Sequence, residues 1–249
     1  MHLIVEYFLY FIIYSFLGWL MEVTCKLIEK KRFINRGFLV GPICPIYGYG
    51  VLLIVLLIGN IKGDILSIFL KSILVCSVIE YLTSFFMEKI FKARWWDYSN
   101  KKFNLNGRIC LETMIPFGIL GCTVVYIIHP IIVNFVARIS YNYKIILALV
   151  IFLIYVLDNL FTFIILNKLG NCIKFSNKDN TEAIKKSINK WLTVNSIFYR
   201  RIINAYPNFV INIKKINEKV KKNQDKWKAQ EKKFREKYKI KIKECKKKK

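Results

Sequence analysis

Five stretches of this chain are almost wholly apolar over close to the 20 residues that a helix needs to cross a bilayer core. They run over about residues 3–23, 37–58, 65–87, 109–130 and 145–166, and the apolar segment 131–137 lengthens the fourth. Hydrocarbon offers the backbone no outside hydrogen-bond partner, so spans of this kind are helices. The expected fold is all-α: a polytopic membrane bundle of about five transmembrane helices over residues 1–166, followed by a basic tail over 167–249. The first apolar run has no basic segment before it and no small-residue cleavage site after it, so it reads as a spanning helix and not as a cleaved leader.

Charge sets the orientation. The net charge is +25, and 26 of the 41 Lys and Arg residues lie in the tail. The first loop carries Lys26, Lys30, Lys31, Arg32 and Arg36, and the third carries Lys89, Lys92, Arg94, Lys101, Lys102 and Arg108. The second holds only Lys62, and the fourth Arg138 and Lys144. Basic loops stay on the cytoplasmic side. The alternation therefore predicts a multi-pass protein of the cell membrane, with its N-terminus outside and its tail in the cytoplasm.

Within the tail, Ile184, Ile188, Trp191, Phe198 and Ile202 form one helical stripe, and Ile213, Val220, Trp227 and Phe234 recur every seven residues. Lysines fill the other faces. The pattern suits a basic amphipathic helix on anionic lipid headgroups, with a short coiled coil as the alternative. Asn223 and Gln230 interrupt the coiled-coil pattern. Tethering to a membrane and the lack of any nucleic-acid motif argue against nucleic-acid binding.

Charged groups inside spans cost at least about 2.5–3.5 kcal/mol near a helix centre, so they face a bundle interior or a wet cavity. They are Glu6, Glu22, Lys71, Glu80, Glu88, Glu112 and Asp158. The topology brings Glu22, Glu80, Glu88 and Glu112 toward the cytoplasmic side, and Glu80, Ser84 and Glu88 share one helix face. Asp158 falls near mid-membrane. Arg94 follows Glu88 by six residues, and Arg108 precedes Glu112 by four, a spacing at which the two pair on one face. One reading makes these residues mutual neutralisers that lock the bundle. The other makes them a polar substrate pathway open to the cytoplasm.

The second span favours a pathway. Residues 37–50 hold Pro42, Pro45 and four glycines, so no clean helix starts at Gly37. Pro45 suits a first helical position. From Pro45 to Ile58 is 14 residues, about 21 Å at 1.5 Å per residue. The preceding residues then enter the membrane as irregular backbone, which is tolerated only under cover of protein or water. Broken helices of this type line substrate sites in transporters, although close helix packing on glycine is an even alternative. The third loop, with Arg94, Trp95, Trp96, Asp97, Tyr98, Asn106 and Arg108, is the candidate interface for a partner. Asp97 is placed to accept bonds from the Tyr98 and Ser99 backbone, and Asn106-Gly107 is a turn signal.

Several chemistries have no motif here. The chain has no G-x-x-x-x-G-K-[ST] and so no P-loop. His2 and His129 lie in no metal motif, and the seven cysteines form no C-x-x-C pair. No metal and no cofactor are expected, and no catalytic residue stands out.

Tyr14-Ser-Phe-Leu-Gly18-Trp19-x-x-Glu22, Arg36-Gly37-Phe38-Leu39-x-Gly41-Pro42-x-Cys44-Pro45-Ile46-Tyr47-Gly48-x-Gly50, Glu80 through Glu88, Arg94-Trp95-Trp96-Asp97-Tyr98-Ser99 and Asn104-Leu-Asn106-Gly107-Arg108 together resemble the type IV ABC-transporter permeases, or CmpB-like integral membrane proteins. The resemblance covers about residues 8–125 and leaves out the tail. It implies a permease subunit for an unspecified substrate, served by a separate ATP-binding subunit. It carries over no catalytic or binding residues. Two other readings stay open: a membrane enzyme that uses Glu88, Arg94, Asp97 and Arg108 on lipid headgroups, and a non-catalytic scaffold or sensor acting through its tail. Five spans are few for a whole pathway, which makes a homodimer one candidate assembly.

Overall fold

The structure, a computed structural model, describes residues 2–58, 64–91, 94–176 and 201. The two tail stripes lie outside the described residues. Helix α1 spans His2–Lys30, α2 Pro45–Ile58 and α3 Ile65–Phe91. A two-stranded ribbon follows, with β1 at Asn104–Leu105 and β2 at Ile109–Cys110. Helix α4 covers Leu111–Thr123, a π-helical turn covers Val124–Ile128, α5 covers His129–Ala137 and α6 covers Tyr141–Ser176.

The chain forms a helical membrane bundle and is a multi-pass membrane protein. Among the described residues, four helical stretches are long and apolar enough to cross a bilayer: His2–Lys30, Ile65–Phe91, Leu111–Ala137 and Tyr141–Asn167. Helix α2 is shorter. Among the described residues, two apolar clusters pack the helices together. Leu9, Tyr10 and Tyr14 of α1 pack with Ile132 and Val136 of α5 and Ala148 of α6. Ile54 and Ile58 of α2 pack on Ile68 of α3. Large apolar side chains such as Leu70, Leu74, Phe152 and Leu153 point outward, where lipid tails are as apolar as they are.

The fourth span continues past Pro130 to Ala137. Proline lacks the N–H of an ordinary helical bond and crowds the preceding turn. The π turn absorbs this: the His129 backbone N–H donates to the Val124 carbonyl five residues back. Tyr14 Oη lies 2.6 Å from His129 Nδ1, which ties α1 to the same point. At that end of the bundle Lys144 Nζ also donates to Glu6 at 2.5 Å.

The second span is half helix and half irregular backbone. The Cys44 N–H donates to the Ser15 carbonyl at 2.9 Å, and Ser15 lies midway along α1. Helix α2 therefore begins near the middle of the bundle and runs toward the end that holds the start of α1. Residues 32–44 fill the other half without helix or strand. The pairing with α1 is close. A Cβ on Gly48 would lie 2.2 Å from Ser15 Oγ and 2.7 Å from the Phe11 carbonyl, so only glycine lets the two backbones approach this far.

Candidate functional site

The irregular segment needs hydrogen-bond partners, because buried backbone groups left unpaired are costly. Asp158 supplies two. Its Oδ1 accepts the Val40 N–H and its Oδ2 the Gly41 N–H, both at 3.0 Å. Thr162, one turn further along α6, also accepts from Val40 N, at 3.2 Å. Asn35 Oδ1 accepts from Trp19 Nε1 at 2.7 Å and from the Gly37 N–H at 3.1 Å. Arg201, from the tail, donates to the Gly37 carbonyl at 2.7 Å, to Asn35 Oδ1 at 3.2 Å and to the Leu39 carbonyl. Phe38 packs against Phe91 and the buried Trp95. Protein thus covers this stretch on several sides.

The third loop folds back onto the end of α3. Asn106 and Gly107 both have positive φ, 54° and 68°, and the Arg108 N–H donates to the Leu105 carbonyl at 3.0 Å. This is the type I′ geometry that Asn-Gly favours. The turn delivers Arg108 to Glu88 at 2.8 Å and to Ser84 Oγ at 3.2 Å. Arg94 Nε reaches the same Glu88 oxygen at 2.7 Å, and its other arm donates to the Asn106 carbonyl at 3.1 Å. Asn106 in turn donates to Tyr81 Oη at 3.0 Å, and Trp96 Nε1 to the Arg108 carbonyl at 3.0 Å.

Two sequence-level expectations change here. Arg108 joins Glu88, and Glu112 instead pairs with Lys101 at 2.7 Å. The turn at Asn106-Gly107 carries Arg108 toward α3, so the four-residue spacing to Glu112 never becomes a helical one. Asp97 accepts from the Ser99 N–H as expected, at 3.0 Å, but the Tyr98 N–H goes to the Gly107 carbonyl at 2.8 Å. Two guanidiniums and two carboxylates, Arg94, Arg108, Glu88 and Asp97, balance one another in this cluster.

A cavity of about 460 Å³ lies among α1, α2, α3 and α4. Its polar end is lined by Glu22, Arg36, Tyr47, Glu80, Tyr98 and Glu112. Its other end is lined by Val51, Ile54, Cys76, Phe117, Leu120 and Val124. Phe117 to Val124, from α4 into the π turn, make an apolar wall of roughly 10 Å at 1.5 Å per residue, and Val51 and Ile54 on α2 also line this part. Pockets of this size and mixed lining hold small ligands.

The three glutamates differ in how they are held. Glu22 accepts from Tyr47 Oη at 2.7 Å and has Arg36 at 3.5 Å. Glu112 has Lys101, and both of these side chains are more than half exposed. Glu80 is only 6% exposed. Its Oε1 accepts from Tyr98 Oη at 3.2 Å, while Oε2 is buried with no hydrogen-bond partner among the described residues. The Thr113 hydroxyl, also on the lining, donates to the Cys110 carbonyl at 2.9 Å. Burial first, and then the nearby Glu80 carboxylate, raises the Tyr98 phenol above its ordinary range, so Tyr98 stays an O–H donor.

The structure thus divides the candidate residues. Glu22, Glu80 and Glu112 meet in the cavity. Glu88 sits in the loop clamp, and Asp158 with Pro42 belongs to the irregular segment. Pro45 opens α2 beside the lining residues Cys44 and Ile46. Of the loop, Trp96 and Tyr98 reach the cavity, Trp95 is buried, and Asp97 with residues 99–106 is exposed. Sequence reasoning missed the roles of Tyr47, Arg36 and Asn35; the motif stretch Arg36–Gly50 was a signal for the first two, and Asn35 lies just before it.

No match was found among curated proteins or among solved structures. The family model described as "Putative ABC-transporter type IV" matches residues 9–163, more than half of the sequence and all of the elements that build the cavity, and the chain belongs to that family.

Proposed function

We propose that this chain is the membrane subunit of a transport system and that the cavity among α1 to α4 is part of its substrate pathway. The broken second span carries the reading. A helix that starts at mid-bundle, preceded by irregular backbone, is the arrangement found where polytopic proteins build substrate sites. Glu22, Glu80 and Glu112 supply polar contacts in the pathway, and Pro45 shapes it by fixing where α2 begins. Glu88, Asp158 and Pro42 act on it indirectly, through the loop clamp and the irregular segment.

The chain has no P-loop, so ATP hydrolysis falls to a separate subunit. Its docking surface is the loop at residues 94–108, where Lys101, Lys102, Phe103 and Leu105 are exposed. The positive-inside pattern puts this loop and the tail in the cytoplasm and the N-terminus outside the cell membrane. Residues 1–166 form the membrane domain, and residues 167–249 form a tail that binds anionic headgroups. A homodimer completes the pathway.

Crosslinked affinity capture from native membranes, with partners identified by mass spectrometry, tests the proposal. A P-loop ATPase should be enriched and should be lost with Phe103→Asp, a change at an exposed tip outside the Glu88 clamp. Recovery of the chain alone or as a self-oligomer, under conditions that retain a known ABC complex, would sink it.

A further inference from the structure

We propose that the cavity binds an amphipathic organic cation, with its ammonium group on Glu80 and its apolar body along Val51, Ile54, Phe117 and Leu120. The inference names a substrate class for the transport reading and rests on that reading for its biological meaning.

Three observations converge on it. The lining is graded, polar at one end and apolar at the other, which matches a molecule with one polar head and one greasy body. The charge at the polar end is negative: the lining carries Glu22, Glu80 and Glu112 against Arg36. Finally, the carboxylates are not equivalent. Glu22 has Arg36 and Tyr47, and Glu112 has Lys101. Glu80 is the most buried of the three, accepts from the Tyr98 phenol, and has no Lys or Arg against it among the described residues.

A buried carboxylate is costly unless it is paired and hydrogen-bonded. Glu80 has no cationic partner among the described residues, so the missing charge and the missing N–H donor are available for a ligand to supply. An ammonium provides both. An anionic head would instead be repelled by the Glu80 carboxylate, which has no cation beside it among the described residues. Tyr98 holds Glu80 Oε1, and Glu80 lines the cavity, so an entering ammonium meets this carboxylate without displacing a basic side chain among the described residues. Tyr47 and Tyr98 also add aromatic rings at the polar end, where faces attract cations.

The test uses purified full-length chain in phosphatidylcholine nanodiscs with no ATPase present. The probe is dansylcadaverine, a primary ammonium on an apolar aromatic body that brightens in a dry site. Its N-acetyl derivative has the same body without charge. Wild type should bind the ammonium form saturably and about tenfold or more tighter than the acetyl form. Glu80→Gln should make the two equal, and Glu80→Asp should keep the preference. Leu120→Trp, which fills the apolar end, should weaken both probes. If Glu80→Gln does not fold, the wild-type ratio and its response to Leu120→Trp decide. Equal affinities in wild type, a preference kept in Glu80→Gln, or no response to Leu120→Trp each overturn the proposal. Failure here with an ATPase captured from membranes removes only the substrate class. Selective binding here with no ATPase captured removes only the transport reading.

Discussion

Asp158 Oδ2 accepts the Gly41 backbone N–H at 3.0 Å, across 117 residues of sequence. A carboxylate in the last spanning helix thereby holds the unwound half of the second span. Asp158→Ala would leave the Gly41 N–H without this partner, while Val40 keeps Thr162. The expected cost is about 1–3 kcal/mol, seen as a lower thermal midpoint of the purified protein. Asp158→Asn keeps one acceptor and should lose less.

Gly48→Ala should destabilise the pairing of α1 and α2. The added Cβ would meet the Phe11 carbonyl at 2.7 Å, and backbone cannot swing aside as a side chain can. Overpacking of this kind costs about 1–3 kcal/mol. Thermal unfolding in detergent should show it, and Gly50→Ala is the control. At Gly50 the nearest contact is the tip of Ile79 at 3.9 Å, and little change is expected there.

Glu80→Gln should abolish transport-coupled ATP hydrolysis in the complex with the captured ATPase. Insertion and abundance, read by membrane fractionation, should stay near wild type, because glutamine keeps the size and the Tyr98 contact. Wild-type hydrolysis would leave the pathway without its central residue.

Arg108→Lys should cost more than Lys101→Ala. Arg108 is 8% exposed and joins Glu88, Ser84 and the faces of Tyr81 and Phe85. A lysine ammonium cannot span that set in one plane, and about 2 kcal/mol should be lost, of the order measured for charge-assisted bonds. The Lys101–Glu112 pair is more than half exposed on both sides, so water already screens it and removing it should cost little. Denaturation midpoints of the two variants compare them directly. Equal effects would show that the clamp on Glu88 contributes no more than a surface pair.

Local signals carried much of the fold. The long apolar runs of α1, α3 and α6 are legible because a bilayer imposes a length that a sequence must meet. The break in the second span is legible because Pro42, Pro45 and the neighbouring glycines cannot sustain a helix. The pairing of Glu88 with Arg94 is legible because the two lie six residues apart at a helix end. The extension of the fourth span through Pro130 is only half legible, since the π turn that relieves the proline leaves no distinct residue pattern.

The sequence by itself determined that this is a helical membrane protein with basic loops at alternate turns, since hydropathy and charge act residue by residue against the bilayer. Tertiary structure alone decided which carboxylate does what. The in-span acids looked alike along the chain, yet Asp158 holds backbone, Glu88 holds Arg108 as well as Arg94, and Glu80 lines a cavity with no cation beside it among the described residues. The physical reason is that a buried charge takes its role from its nearest donors. Those donors come from elements that only the folded bundle brings within 3 Å.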